Sequence, residues 1–164
     1  MTYAFLDFET RKVDLPEPFV YDADRRPVTK RWQVFMAGIC LSNSLITLFE
    51  GDEQTVFAKL GDWLDGYQVD TIVYEATRYF DEMIAKGRFI NARREFLPTP
   101  GPWPYASWAN HLTWINLGPR NDPKQADHVA RNAAKLYESQ PQLIRDHCYS
   151  DVVGLRERWR RGQS

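Results

Sequence analysis

The stretch YAFLDFET (residues 3–10) places two carboxylates in an otherwise apolar segment. Its aromatic and aliphatic residues predict a short buried strand that ends near Phe8. Because side chains alternate between the two faces of a strand, we expect Asp7 and Glu9 to share one face. Neighbouring carboxylates repel each other and are costly to desolvate. Either a divalent cation offsets that repulsion, or both side chains lie in water beyond the strand.

The remaining pattern predicts an α/β fold. Apolar runs predict strands at residues 33–41, 45–50, 71–74 and 112–117, and helical periodicity predicts helices at 52–64 (capped by Asp52), 77–88, 124–137 and 141–161. Residues 10–32 and the proline-rich residues 95–108 are predicted to lack regular structure. A hairpin-like group of strands followed by alternating strands and helices indicates a mixed sheet flanked by helices, in a single domain over residues 1–164.

Composition limits the classes of function. Hydrophobic residues make up 43% of the chain and the net charge is -1, which is typical of a globular protein and excludes a disordered one. A near-neutral chain has no general attraction for nucleic acid, so a polyanion must be held by a local basic patch or by metal ions.

The cysteines and the apolar runs indicate a compartment. Two cysteines, Cys40 and Cys148, do not indicate a disulfide framework. No basic stretch leads into an apolar segment and no run approaches 18 apolar residues, so we expect neither a signal peptide nor a membrane span. We therefore expect a cytoplasmic protein with no membrane partner.

Two further carboxylates stand where α/β proteins build sites. Asp81 follows the strand at 71–74 and opens a helix, so it lies either at the carboxyl edge of the sheet or simply at a helix N-terminus. Asp151 stands four residues after His147, so the two share one helix face. The imidazole either accepts a proton from an attacking water or forms an ordinary helical pair.

Three motifs carry a family resemblance: Asp7-Phe8-Glu9-Thr10, Phe80-Asp81 and His147-Cys148-Tyr149-Ser150-Asp151. Together they resemble, in order, the three motifs of the DEDD superfamily of 3′–5′ exonucleases. The opening is also similar to that of the proofreading domains of phage-type family A DNA polymerases. Two positions depart from the family pattern. Thr77 replaces the usual Asn, and His147 has the spacing of the tyrosine branch.

The resemblance implies an RNase H-like sheet of about five strands, the first three largely antiparallel, in a stand-alone exonuclease. It implies two divalent cations, Mg²⁺ or Mn²⁺, on the four carboxylates Asp7, Glu9, Asp81 and Asp151, with His147 as proton acceptor. The implied substrate is a single-stranded 3′ end of DNA or RNA. The residues expected to contact that strand are Phe8, Thr10, Arg78 and Phe80.

Several alternatives stay open. Phe8 and Phe80 equally fit core packing, and Arg78 fits a solvated helix face. The fold also serves endonucleases of the RNase H or junction-resolving kind. The two departures from the motif pattern leave a catalytically inactive module that binds nucleic acid or a protein as a further alternative.

Overall fold

A five-stranded mixed sheet forms the centre of the computed structural model, which describes residues 1–98, 105–119 and 132–163. The strands are β1 (Tyr3–Asp14), β2 (Val20–Tyr21), β3 (Pro27–Val28), β4 (Lys30–Leu41), β5 (Thr47–Glu50), β6 (Thr71–Tyr74), β7 (Arg88–Ile90), β8 (Phe96–Pro98) and β9 (Thr113–Asn116). The central sheet has the order β5-β4-β1-β6-β9, in which β1, β4 and β5 are antiparallel while β6 and β9 run parallel to β1. This confirms the predicted α/β architecture and is compatible with an RNase H-like fold.

Helices cover both faces of the sheet: α1 (Glu53–Gly66), α2 (Phe80–Ala85), α3 (132–139) and α4 (Pro141–Gln163). The α1 helix begins at its predicted cap, where Asp52 Oδ1 accepts a hydrogen bond from the Thr55 N–H at 2.8 Å. It packs Val56 and Leu60 against one face of the sheet, and α4 packs Val152 against the other. No helix in the described part of the chain has both the length and the apolar character needed to cross a bilayer.

The prediction that residues 10–32 are irregular is wrong at both ends. Strands β1 and β4 continue as a long hairpin beyond an irregularity at Glu9/Thr10, where the pairing skips Phe35. The β1 strand of this extension is largely polar, and Arg11 Nε donates to Gln33 Oε1 across the pair at 2.9 Å. Cross-strand pairing supplies its backbone hydrogen bonds, so no apolar pattern marks it. Strands β2 and β3 form a smaller hairpin within the same segment.

A buried ion pair stabilises the hairpin at this irregularity. Glu53 Oε2 accepts from the Val34 N–H at 2.8 Å, and Glu53 Oε1 accepts from Arg31 Nη2 at 2.9 Å. Both side chains are almost fully buried, with 2% and 7% of the Glu53 and Arg31 side chains exposed. The first turn of α1 is thereby tied to β4.

The predicted helix at 77–88 is also too long. Arg78 and Tyr79 have left-handed backbone angles, with φ of 53° and 63°, so a 3₁₀ turn precedes a short α2. Gly87 follows its end with φ of 80°. Strands β7 and β8 come next, and β8 lies inside the stretch predicted to be irregular.

The other predicted elements are confirmed, or they lie partly outside the described residues. The strands at 71–74 and 112–117 and the last helix agree with β6, β9 and α4 within a few residues. Residues 99–104 of the proline-rich stretch lie outside the described residues. Most of the helix predicted at 124–137 does too, and its described remainder is α3.

Candidate active site

The first strand directs two carboxylates toward α4. Leu6 and Phe8 belong to the apolar cluster under α1, whereas Phe5 packs with α4. Side-chain alternation therefore puts Asp7 and Glu9 on the α4 face, as predicted from the sequence. Glu9 is buried, with 5% of its surface exposed.

Close packing of α4 on β4 brings the last motif to this face. Gly38 pairs with Asp7 across the hairpin, and a Cβ atom at Gly38 would lie 2.9 Å from Val152 Cγ2 and 3.0 Å from Cys148 Sγ. A larger residue there would push the helix away from the sheet. A glycine within a strand is a sequence signal for such close approach.

His147 and Asp151 then face the carboxylates of β1. His147 Nε2 lies 3.0 Å from Asp151 Oδ2 and 3.9 Å from Glu9 Oε1. The predicted i, i+4 pairing is confirmed, and it points at the acidic strand. One ligand atom from each of these three residues lies within 4.8 Å of the others.

The segment between β6 and α2 is held firmly, so that Asp81 reaches the same cluster. Asn116 of β9 accepts from the Ala76 N–H and donates to the Ala76 carbonyl, both at 3.0 Å. Asp81 is only 6% exposed, and the Phe8 backbone N–H donates a hydrogen bond to its carboxylate. The backbone of the first motif thus positions the side chain of the second.

Burial and mutual repulsion favour protonated carboxyl groups in the absence of a cation. Desolvation first, and then the negative charges of Asp151 and the other carboxylates, raise the pKa of Asp7 well above its usual range. Desolvation, with Glu9 and Asp151 adding to it, raises the pKa of Asp81 to about 8, against the opposing hydrogen bond from Phe8.

The cluster fits a divalent cation. Within the described ranges, Asp7 Oδ2 and Asp81 Oδ2 are buried without a hydrogen-bond partner. Buried oxygens normally have partners, and a hard cation with oxygen ligands is one that would satisfy both. Glu9 belongs to both groups of ligand atoms that lie within 4.8 Å of one another, one with His147 and Asp151, the other with Asp7 and Cys148.

Cys148 lies beneath the cluster. Its Sγ is 3.9 Å from the Asp7 carbonyl oxygen, and the side chain is fully buried. Burial, with the Asp7 charge as the next cause, raises the pKa of the Cys148 thiol well above its usual value. A protonated thiol inside the core is a packing residue, and no feature of the sequence predicts its contact with Asp7.

The structure separates the residues predicted to contact substrate. The Phe8 ring faces away from the cluster, is 7% exposed and packs against Phe57, so the prediction that it stacks on a base is wrong. Phe80 is half-buried and contacts Trp32 edge-to-face, with ring centroids 5.8 Å apart. Arg78 is exposed and Thr10 half-buried, and both remain predictions.

Comparison with known proteins gives a distant likeness to a solved structure. No protein-family model matches the chain, and no curated protein matches it. Among solved structures, the chain is similar to the family B DNA polymerase from the hyperthermophilic archaeon Pyrobaculum calidifontis, with 22% sequence identity and a TM-score of 0.34. The match covers 49% of this chain and 10% of the polymerase chain, so it spans about a tenth of that protein.

Proposed function

We propose that the protein is a metal-dependent 3′–5′ exonuclease that hydrolyses terminal phosphodiesters of single-stranded DNA or RNA. One observation carries the proposal: buried and half-buried carboxylates from β1, α2 and α4 converge, and two of their oxygens have no partner. Structural carboxylates are usually paired with cations of the protein, whereas these repel one another.

The four carboxylates are the proposed ligands of two divalent cations, Mg²⁺ or Mn²⁺. Asp7 and Glu9 come from one strand, and Asp81 and Asp151 approach from helices on either side. Oxygen donors suit these hard ions. When bound, such ions neutralise the charge of the phosphate and stabilise the attacking and leaving oxygens of an in-line displacement.

The protein's own residues supply orientation and proton transfer. The His147 imidazole lies beside Glu9 and Asp151, where it can accept the proton of the attacking water. The Phe8 N–H fixes the Asp81 carboxylate, and Gly38 lets α4 bring His147 close to the sheet. The resemblance of the Asp7-Phe8-Glu9-Thr10 opening and of Phe80-Asp81 to the DEDD exonucleases favours cleavage at a 3′ end over internal cleavage.

Cleavage of short labelled oligonucleotides in Mn²⁺ tests the proposal. Asp7→Asn and Asp151→Asn should abolish cleavage without loss of the circular dichroism spectrum. Asp62→Asn, the same change at an exposed position of α1, is the matched control and should cleave normally. A 5′-labelled strand should shorten from its 3′ end, and a circular single strand should survive.

Three results would contradict the proposal in different ways. Undiminished cleavage by Asp7→Asn would refute the assignment of Asp7 to the active site. Cutting of the circle would indicate an endonuclease. A wild-type protein that neither cleaves nor binds Mn²⁺ in calorimetry would be the inactive binding module.

A further inference from the structure

We propose that a second site, a basic and aromatic cleft beside α2, binds one nucleotide unit by its phosphate and its base without any metal ion. The binding goes beyond the proposed exonuclease activity. Only the idea that this cleft anchors the substrate strand rests on that activity. The α2 helix contributes to both sites, since Phe80 lines the cleft and the next residue, Asp81, faces the carboxylates.

The cleft lies among the small β2–β3 and β7–β8 hairpins. Its volume is about 390 Å³, and its walls come from the polar end of the β1–β4 hairpin, the β2–β3 hairpin and the turn that joins β7 to β8. Pockets for small ligands occupy roughly 300–1,000 Å³, so one nucleotide fits the available space.

The charge of the lining is strongly positive, although the chain as a whole carries a net charge of -1. Five basic residues line the cleft, against a single carboxylate from Asp22: Lys12, Arg26, Lys30, Arg31 and Arg94. The Arg31 charge is balanced by Glu53, and Lys30 Nζ pairs with the exposed Asp14 carboxylate at 3.5 Å, which leaves Lys12, Arg26 and Arg94. The Asp22 carboxylate already accepts hydrogen bonds from the Asp24 and Arg26 backbone N–H groups. The remaining cations form the local basic patch that a polyanion requires.

Two aromatic side chains offer a surface for a base. Trp32 and Phe80 line the cleft and meet at nearly a right angle, with an interplanar angle of 82°. Lys12 Nζ stands 5.2 Å from the Trp32 ring centroid, so a cation is held at the aromatic wall. Aromatic rings next to cations are how single-strand binders hold bases and phosphates together.

The β2–β3 turn is fixed by its own hydrogen bonds. Asp22 is 9% exposed and organises the turn that carries Arg26, within which Arg25 adopts a left-handed φ of 62°. An ion pair between Asp24 and Arg93 ties this turn to the one between β7 and β8.

The second turn is built in the same way. Asn91 is 7% exposed, and its Oδ1 accepts from the N–H groups of Arg93 and Glu95 at 3.0 and 2.9 Å. Arg94 sits within this turn with a left-handed φ of 62°. Cations held in place before the ligand arrives bind it with less loss of entropy.

Fluorescence anisotropy with a 5′-labelled oligothymidylate in EDTA tests the cleft independently of catalysis. The double variant Arg26→Gln/Arg94→Gln should bind about tenfold more weakly, and the slope of log K against log salt should fall by about 1.4, as expected for two lost phosphate contacts on a single strand. Lys59→Gln/Lys135→Gln removes the same charge from exposed positions outside the cleft and should bind like the wild type.

Competition identifies the source of the nucleotide. Displacement of the oligonucleotide by AMP would support a free nucleotide as ligand, whereas resistance to AMP with the variant's loss intact would support a segment of the strand. Equal affinity and salt slope in the two double variants would overturn the proposal. So would a wild type that binds neither probe in EDTA.

Cleavage in Mn²⁺, measured separately, keeps the two proposals apart. If the wild type cleaves and the cleft variant binds the oligonucleotide normally, only the proposal for the cleft is overturned. If the wild type binds through the cleft but does not cleave, only the proposed exonuclease activity is overturned.

Discussion

Replacing Asp81 with Asn should stabilise the metal-free protein at neutral pH. The carboxylate is 6% exposed, one of its oxygens has no partner, and Glu9 and Asp151 add negative charge nearby. An amide has the same shape, keeps an oxygen that can accept from the Phe8 N–H, and carries no charge. The substitution therefore removes an electrostatic cost and retains the packing.

The sign and the size of this stabilisation follow from the pKa of Asp81, which is raised from 3.8 to about 8. Between these values the unfolded chain has lost the proton and the native protein retains it. The stabilising effect of the protonated carboxyl is thus complete below pH 3.8, falls as the pH rises and is lost above about 8. At pH 7 the solution is about three pH units above the ordinary pKa of 3.8. At about 1.4 kcal/mol per unit, keeping Asp81 protonated lowers the free energy of unfolding of the wild type by about 4 kcal/mol.

Urea unfolding in EDTA at several pH values measures this difference. The wild type should lose stability relative to Asp81→Asn between pH 4 and pH 8, and Asp62→Asn should follow the wild type. Added Mn²⁺ should stabilise the wild type more than Asp81→Asn. A variant that is less stable than the wild type in EDTA at pH 8 would refute the electrostatic account of the cluster.

Three further changes test packing, the buried ion pair and chemistry. Gly38→Ala should cost about 1–3 kcal/mol of stability in urea unfolding and weaken Mn²⁺ binding in calorimetry, because its Cβ would displace Val152 and with it α4. Glu53→Ala should cost about 3–5 kcal/mol in the same unfolding assay, because it leaves Arg31 buried without its carboxylate. His147→Gln should reduce Mn²⁺-dependent cleavage by about 10²–10⁴-fold and leave the fold intact.

Each of these changes has an outcome that contradicts its reasoning. Unaltered stability and Mn²⁺ affinity in Gly38→Ala would mean that α4 does not depend on the close approach. A Glu53→Ala protein as stable as the wild type would show that Arg31 finds another partner. Full activity in His147→Gln would assign proton acceptance to a different group.

The sequence predicted the elements that are buried and missed those that are held by pairing or by backbone angle. Apolar runs marked the central parts of β4 and β6, because the sheet core removes them from water. The polar ends of the β1–β4 hairpin resembled a loop, since cross-strand hydrogen bonds leave no apolar pattern. Arg78 and Tyr79 adopt left-handed angles without a glycine to signal them.

Some residues of the candidate site could likewise be predicted from the sequence, and others could not. Alternation along β1 was enough to place Asp7 and Glu9 on one face. Local position made Asp81 and Asp151 candidates, but only the resemblance grouped them with Asp7 and Glu9, because local spacing does not say which distant elements will meet. Gly38 carried a readable signal, a glycine inside a strand, but its partner could be named only from the packed structure.

The contact between Cys148 and Asp7 joins positions 141 residues apart. Chain segments so distant meet late, because the entropy of closing the intervening loop must be overcome before their contact contributes. During synthesis, Asp7 and Glu9 emerge long before α4 exists and are then two ordinary hydrated carboxylates. The acidic cluster is completed only when α4 docks, so under the proposed function a partly made chain would lack nuclease activity.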